Sequence, residues 1–400
     1  MLLIVTALAG WLFAVPAARA QGKGNMHLGN ADFDLAGTFE VEWNDNINYS
    51  NSNRQSDIIL RPGLTFGTSY KLTQFNTINF NLGISYQQYL IHPGLSSYNT
   101  FASISPNSQL SFTFKVGAVT IKVYDSFSYA VQPSDAVAYN SSTGTPIYSI
   151  TQFARFTNQI GLSADWTPRQ HLTVYGGAYR YDVIPQESNF QILRRWQYTA
   201  LGGFRYIFSP QFTAGIGATA TADYYQQNYN NNSYSVFMGP TFVYQPDSFW
   251  TFNTSFGYTY YDFQNTGTNA DTSQPSTFTG QLTITNRLTD NIDHSLTFSR
   301  TSSFGYTSNT LDIDRVAYQI SWRFKPKWTF NVWAYYEEGF DSGGINPETY
   351  HKYAVSPGLE YEMNDRTTIY TSYEFLQKDS NIAVRTYDRN RVIIGVHYDF

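Results

Sequence analysis

The sequence predicts an all-β chain: a single transmembrane, antiparallel, up-and-down β-barrel of about 18 strands, with 16 as the alternative count. Three observations carry that expectation. Apolar and polar residues alternate with period two over repeated segments, which gives an extended strand one apolar and one polar face. Aromatic residues reach 18% of the 400 residues while charged residues are only 14%, well under the ~25% of an ordinary soluble protein. The connections alternate between tight turns and longer polar loops, as in a meander of hairpins.

The elements follow in chain order. Residues 2–15 form an apolar run that ends in Pro16, Ala17 and Ala18-Arg19-Ala20. An A-x-A site after an apolar stretch predicts a signal peptide over 1–20, a short segment over 21–32 and the barrel over 33–400. Strand centres fall near Phe39, Leu64, Phe80, Phe112, Val123, Ile160, Val174, Tyr198 and Ile216. They continue near Met238, Phe256, Leu282, Phe298, Tyr318, Val332, Val355, Thr371 and Ile394. The alternation is plainest where Val316, Tyr318, Ile320 and Trp322 oppose Arg315, Gln319, Ser321 and Arg323. Asp125 and Arg300 fall on the apolar face, which a bulge or an interfacial position would accommodate.

Trp166, Phe208, Tyr244 and Phe324 each stand two residues before a proline in a tight turn. Proline presets the turn dihedral. The tight turns are assigned to the periplasmic side. The longer loops, including 46–55, 133–148 and 264–275, are assigned to the outside. The loop at 133–148 is expected to cover the mouth or enter the lumen. Aromatics near strand ends, such as Trp43, Trp166, Tyr206, Trp250, Trp322 and Trp328, suit the membrane interface, where one end of the ring is wet.

The last strand, Val392 to Phe400, alternates and ends Tyr398-Asp-Phe400. It resembles the assembly signal of bacterial outer-membrane barrels. Trp43-Asn-Asp45-Asn46-Ile47, Ser56-Asp57-Ile58-Ile59 and Arg61-Pro62-Gly63-Leu64 resemble the β-barrel porin 2 group, and Ser356-Pro357-Gly358-Leu359 echoes the last of these. The resemblance implies a bacterial outer-membrane location, contact with outer-membrane lipid and the barrel assembly machinery, and a possible tie to envelope polysaccharide. It supplies no catalytic residue. Pro62 and Pro357 lack a ladder donor, so local bulges are expected there.

No chemistry-bearing motif stands out. Cys is absent, which excludes thiolate zinc sites and cysteine nucleophiles. The six histidines (His27, His92, His171, His294, His351, His397) show no zincin spacing. No Gly-x-Ser-x-Gly elbow or phosphate loop occurs. The expectation is a chain with no catalytic, cofactor or metal residues and no nucleic-acid partner. Function is then expected in the polar lumen, whose candidate lining residues are Arg61, Lys115, Lys122, Arg205, Arg315, Arg323, Glu337, Glu374 and Arg391. Such charges either brace the wall or guide solutes. The leading expectation is a porin-like channel for small hydrophilic solutes or saccharides. The alternative is a closed structural or adhesive barrel whose outer loops bind partners.

Overall fold

The structure, a computed structural model, describes residues 26–96, 102–134, 137–139, 146–148, 151–268, 271–305, 308–344 and 346–400, with backbone alone at 189 and within 131–153. The leader expected over 1–20 and residues 135–136 and 140–145 of the 133–148 loop lie outside the described residues. The wall strands are β1 (Ala31–Asn44), β2 (Asp57–Lys71), β3 (Thr77–Ser85), β4 (Gln109–Val116), β5 (Val119–Ser134) and β6 (Thr151–Arg169). Next come β7 (Leu172–Pro185), β8 (Arg195–Ser209), β9 (Phe212–Tyr225), β10 (Ser233–Tyr244), β11 (Trp250–Phe263) and β12 (Thr277–Thr289). The wall ends with β13 (Ile292–Ser303), β14 (Leu311–Lys325), β15 (Trp328–Asp341), β16 (Thr349–Asn364), β17 (Thr367–Ser380) and β18 (Tyr387–Asp399).

Each wall strand pairs antiparallel with its chain neighbours, and β1 closes on β18 from Ala36↔Asp399 to Asn44↔Arg391. The sheet therefore closes without an open edge, which is how a strand wall satisfies its backbone groups in hydrocarbon. The eighteen expected centres each fall inside the corresponding strand. Among the described residues no helix is long and apolar enough to cross a membrane; the crossing elements are strands.

The period-two pattern sorts the two faces. Phe39, Val41 and Trp43 point out and are about 40% exposed, while their neighbour Glu42 is buried. Toward the short-turn end, aromatic rings make a girdle: Tyr206 meets Phe208 at 4.8 Å, Trp322 meets Phe324 at 5.6 Å, and Trp328 meets Tyr361 at 4.5 Å. On the inner face, aromatic rings lie over glycines one or two strands away. A Cβ at Gly217 would stand 2.7 Å from the Tyr175 hydroxyl, and one at Gly161 would stand 2.8 Å from that of Tyr124. Gly117, at φ +59°, makes the tight β4–β5 turn, a conformation that costs other residues more.

Two expectations are corrected. The register is unchanged across Pro62, from Ile59↔Tyr89 to Gly63↔Ser85 on one side and through Phe39↔Pro62 on the other. It is also unchanged across Pro357, from Val355↔Phe375 to Gly358↔Ser372. The missing proline donor interrupts pairing without inserting a residue, so no bulge forms. Asp125 and Arg300 keep outward positions within regular ladders. Asp125 accepts from Asn158 Nδ2 at 2.5 Å, and Arg300 donates to Asp314 at 2.7 Å, so each polar group has a partner on the wall.

Candidate functional site

Most of the inner wall is lined by hydroxyls and amides. Ser128 and Thr157 hydroxyls meet at 2.7 Å, Thr283 and Thr297 at 3.1 Å, and Gln109 Nε2 donates to Ser126 at 2.6 Å. These short polar side chains suit the aqueous interior that a barrel of this strand number is able to enclose.

Charge concentrates where β1 and β2 meet β14 to β18. Five side chains form an alternating chain, Arg389–Glu374–Arg391–Glu42–Arg61. Arg389 donates to Glu374, Arg391 donates to Glu374 at 2.9 Å and lies 3.9 Å from Glu42, and Arg61 donates to Glu42. Three guanidiniums thus share two carboxylates. Burying such charges is tolerable only when each is paired. Nε of Arg61 and Nε of Arg389 are buried with no acceptor. Below them Glu40 accepts the Tyr370 hydroxyl at 2.6 Å.

Two further groups flank the chain. Arg315 Nε donates to Glu337 at 2.7 Å, and Glu337 also accepts the Tyr350 hydroxyl at 2.8 Å and stands opposite Lys352. Nearer the mouth Glu348 takes Lys378 Nζ at 2.9 Å and Arg385 Nη1 at 2.7 Å.

The β1–β2 loop, residues 45–56, turns inward. Asn46, fully buried, fixes it by donating to the carbonyls of Ser50 at 2.9 Å and Asp388 at 2.7 Å. Tyr49, at φ +51°, then drops onto the wall among Tyr335, Ala354, Leu376 and Tyr387. Its ring meets that of Tyr387 edge-on at 5.2 Å, and its hydroxyl accepts from Arg389 Nη1 at 2.5 Å. Arg54, farther along the loop, pairs with Asp388. The loop is thus held to adjacent β18 residues.

The opposite loops interlock. Asp271 accepts from the N–H of Asn309 at 2.7 Å, from Ser273 N–H at 2.9 Å and hydroxyl at 2.5 Å, and from the Ser342 hydroxyl at 2.8 Å. Burial pushes its carboxyl up, but these donors outweigh that and hold it below the ordinary aspartate value. Asn231 adds a bond to the Asp271 carbonyl at 2.8 Å. Four connections are knotted together over that part of the mouth.

Of the residues expected to line the lumen, Arg61, Glu374 and Arg391 come together in the five-charge chain, and Arg315 pairs with Glu337. Lys122 stands apart and donates to Gln109 at 3.1 Å. Arg205 lies over the Tyr175 ring at 5.3 Å, and Lys115 over Phe75 at 5.5 Å. Arg323 sits near the short-turn end and joins none of these groups. Sequence reasoning missed Lys352, Lys378, Arg385, Arg389 and the whole contribution of Tyr49. Arg389 was findable, because it shares the parity of Arg391 two residues on. Tyr398 and Phe400 close the last strand: their rings meet at 5.1 Å and Phe400 N–H donates to the Leu35 carbonyl at 3.0 Å.

By sequence, neither a family profile nor a curated relative matches the chain. By structure, it is similar to Pseudomonas aeruginosa OccK2 (OpdF) in complex with glucuronate, at 11% identity and a TM-score of 0.54, over 95% of this chain and 100% of that one. A BenF-like porin from Pseudomonas fluorescens Pf-5 matches at 12% identity and 0.53, over 93% and 100%. Pseudomonas aeruginosa OpdK with vanillate matches at 11% and 0.51, over 94% and 100%. The fold is that of outer-membrane porins. At these identities the likeness is one of architecture, a closed barrel of channel proteins, and membership of the β-barrel porin 2 group does not follow from it.

Proposed function

We propose that the chain is an outer-membrane channel for passive passage of small hydrophilic solutes, with carboxylate-bearing ones favoured. The observation that carries this reading is the Arg61–Arg389–Arg391 group on the inner wall, whose donors outnumber the acceptors offered by Glu42 and Glu374. Arginine presents several N–H donors in a fixed fork suited to a carboxylate. Two of the proteins sharing the fold are described with glucuronate and vanillate, both small acids, and that supports the same class here.

Passage by diffusion needs neither cofactor nor catalytic group, so the reading is of a channel and not an enzyme. Lipid and the barrel assembly machinery are the partners it requires, with residues 1–20 as the export leader. A role in moving envelope polysaccharide rests on the resemblance of the 43–66 segment alone. Loss of surface polysaccharide on deleting the gene would support it, and unchanged polysaccharide would remove it.

A second reading, a closed barrel whose loops bind a partner, is favoured by the knot around Asp271. Single-channel recording of the refolded full chain separates the two. Discrete ohmic steps are expected of the channel, and their absence from both wild type and a variant lacking residues 47–54 would favour the closed barrel.

A further inference from the structure

Tyr49 lies against Arg389 of the luminal arginine group, and the way it is held says what would move it. Its hydroxyl takes Nη1 of Arg389, whose Nη2 is on Glu374 and whose Nε has no acceptor. Arg389 is only 3% exposed and Arg391 5%. Arg389 is thus a buried guanidinium with unused donor capacity, lying against the Tyr49 ring at 5.1 Å. A buried donor lacking an acceptor is costly, so the site as it stands favours any acceptor that can reach it.

We propose that Arg61, Arg389 and Arg391 form a carboxylate-binding station, that the 45–56 loop is its lid, and that Tyr49 is the residue the incoming carboxylate displaces. A carboxylate offers two anionic oxygens where Tyr49 offers one neutral hydroxyl, and charge-assisted bonds are roughly twice as strong. The exchange is one of acceptors: Arg389 gives its N–H to the solute, and the Tyr49 hydroxyl returns to water. What remains is the packing of the ring on Tyr387 and Leu376 and the Arg389 guanidinium over its face at 5.1 Å, with Tyr49 at a positive φ that a non-glycine residue adopts at some cost. The loop stays tethered by Arg54 on Asp388, so it lifts at Tyr49 without leaving the rim. A neutral sugar has no such claim on Arg389 and leaves the lid shut. The station therefore selects by opening and not by width.

This inference rests on the channel reading, and the test keeps the two apart. The full chain is recorded in planar bilayers with glucuronate, then glucose, added on the loop side. Glucuronate is expected to raise the open fraction severalfold and glucose to leave it unchanged. Tyr49→Phe keeps the ring and removes the acceptor; it should raise the open fraction without solute by roughly tenfold, the worth of one hydrogen bond to a charged group, and abolish the glucuronate effect. Conducting wild type that responds alike to both sugars, or to glucuronate equally in Tyr49→Phe, overturns the lid and leaves the channel standing. No conductance from wild type, from Tyr49→Phe or from the 47–54 deletion overturns both.

Discussion

Tyr175 illustrates how single residues are fixed in this wall. Its hydroxyl occupies the space that a Cβ would need at both Gly203 and Gly217, at 2.5 and 2.7 Å. Gly217→Val should therefore expel the ring and destabilise the barrel by about 1–3 kcal/mol, the usual cost of overpacking. Urea unfolding midpoints in lipid vesicles measure it, and Tyr175→Ala in the same chain should recover most of the loss. Asp271 gives a second residue-scale expectation. Its carboxyl is held below the ordinary value by four donors. A group depressed in the folded state contributes stability that is complete above its ordinary pKa and is lost as pH falls through the lowered value. Protease resistance of the outer loops should thus persist at neutral pH and collapse in acid. Asp271→Asn should be weaker at neutral pH and approach wild type in acid. Parallel curves for the two proteins would contradict that account.

At the scale of elements, the strands were legible in the sequence and the loops were not. A strand declares its faces every two residues, so Val316, Tyr318 and Ile320 locate β14 without knowledge of its neighbours. The same arithmetic puts Arg315 and Glu337 on the inner face, where they pair across adjacent strands. Tyr49 carries no such signal: its partners Tyr335, Ala354, Leu376 and Tyr387 lie hundreds of residues away, and only closure of β1 on β18 brings them near. The proline positions show the opposite failure, where a local rule predicts bulges and the register instead stays unchanged on either side of each gap. The terminal strand joins the two kinds of information. Phe400 is legible as a closing aromatic, and the structure adds its bond to Leu35 and its ring at 3.3 Å from the place a Gly37 side chain would start. Deleting Phe400 removes a contact on the seam that shuts the barrel. The variant is expected to fail in outer-membrane insertion, seen as loss of the heat-modifiable band. A wild-type amount of that band would refute the role given to the seam.

For the whole molecule, the formal charge of −5 and the charge met by a permeating ion are different quantities. Acids such as Asp45, Asp271 and Asp341 belong to the mouth and are engaged by Asn390, by the loop knot and by Ser308. Arginines face inward toward both ends of the wall, with Arg61, Arg391 and Arg315 in the long-loop halves of their strands and Arg205 and Arg323 near the short turns. Fixed charges on a low-dielectric wall act on an ion in the pore, whereas charges at the mouth are screened over ~8 Å at physiological salt. Mild anion preference is the expected outcome for an open channel. Arg323 is the informative member, because it is exposed and outside the paired clusters, so removing it leaves no carboxylate stranded. One unit charge at ~8 Å in a water-like medium is worth about 0.5 kcal/mol, or about twofold in permeability. Reversal potentials across a KCl gradient should shift toward cations by that order in Arg323→Ala. Glu337→Gln, which strands the better-paired Arg315, should shift them toward anions. A wild-type channel that prefers potassium would show that the paired acids, and not the arginines, set the field along the pore.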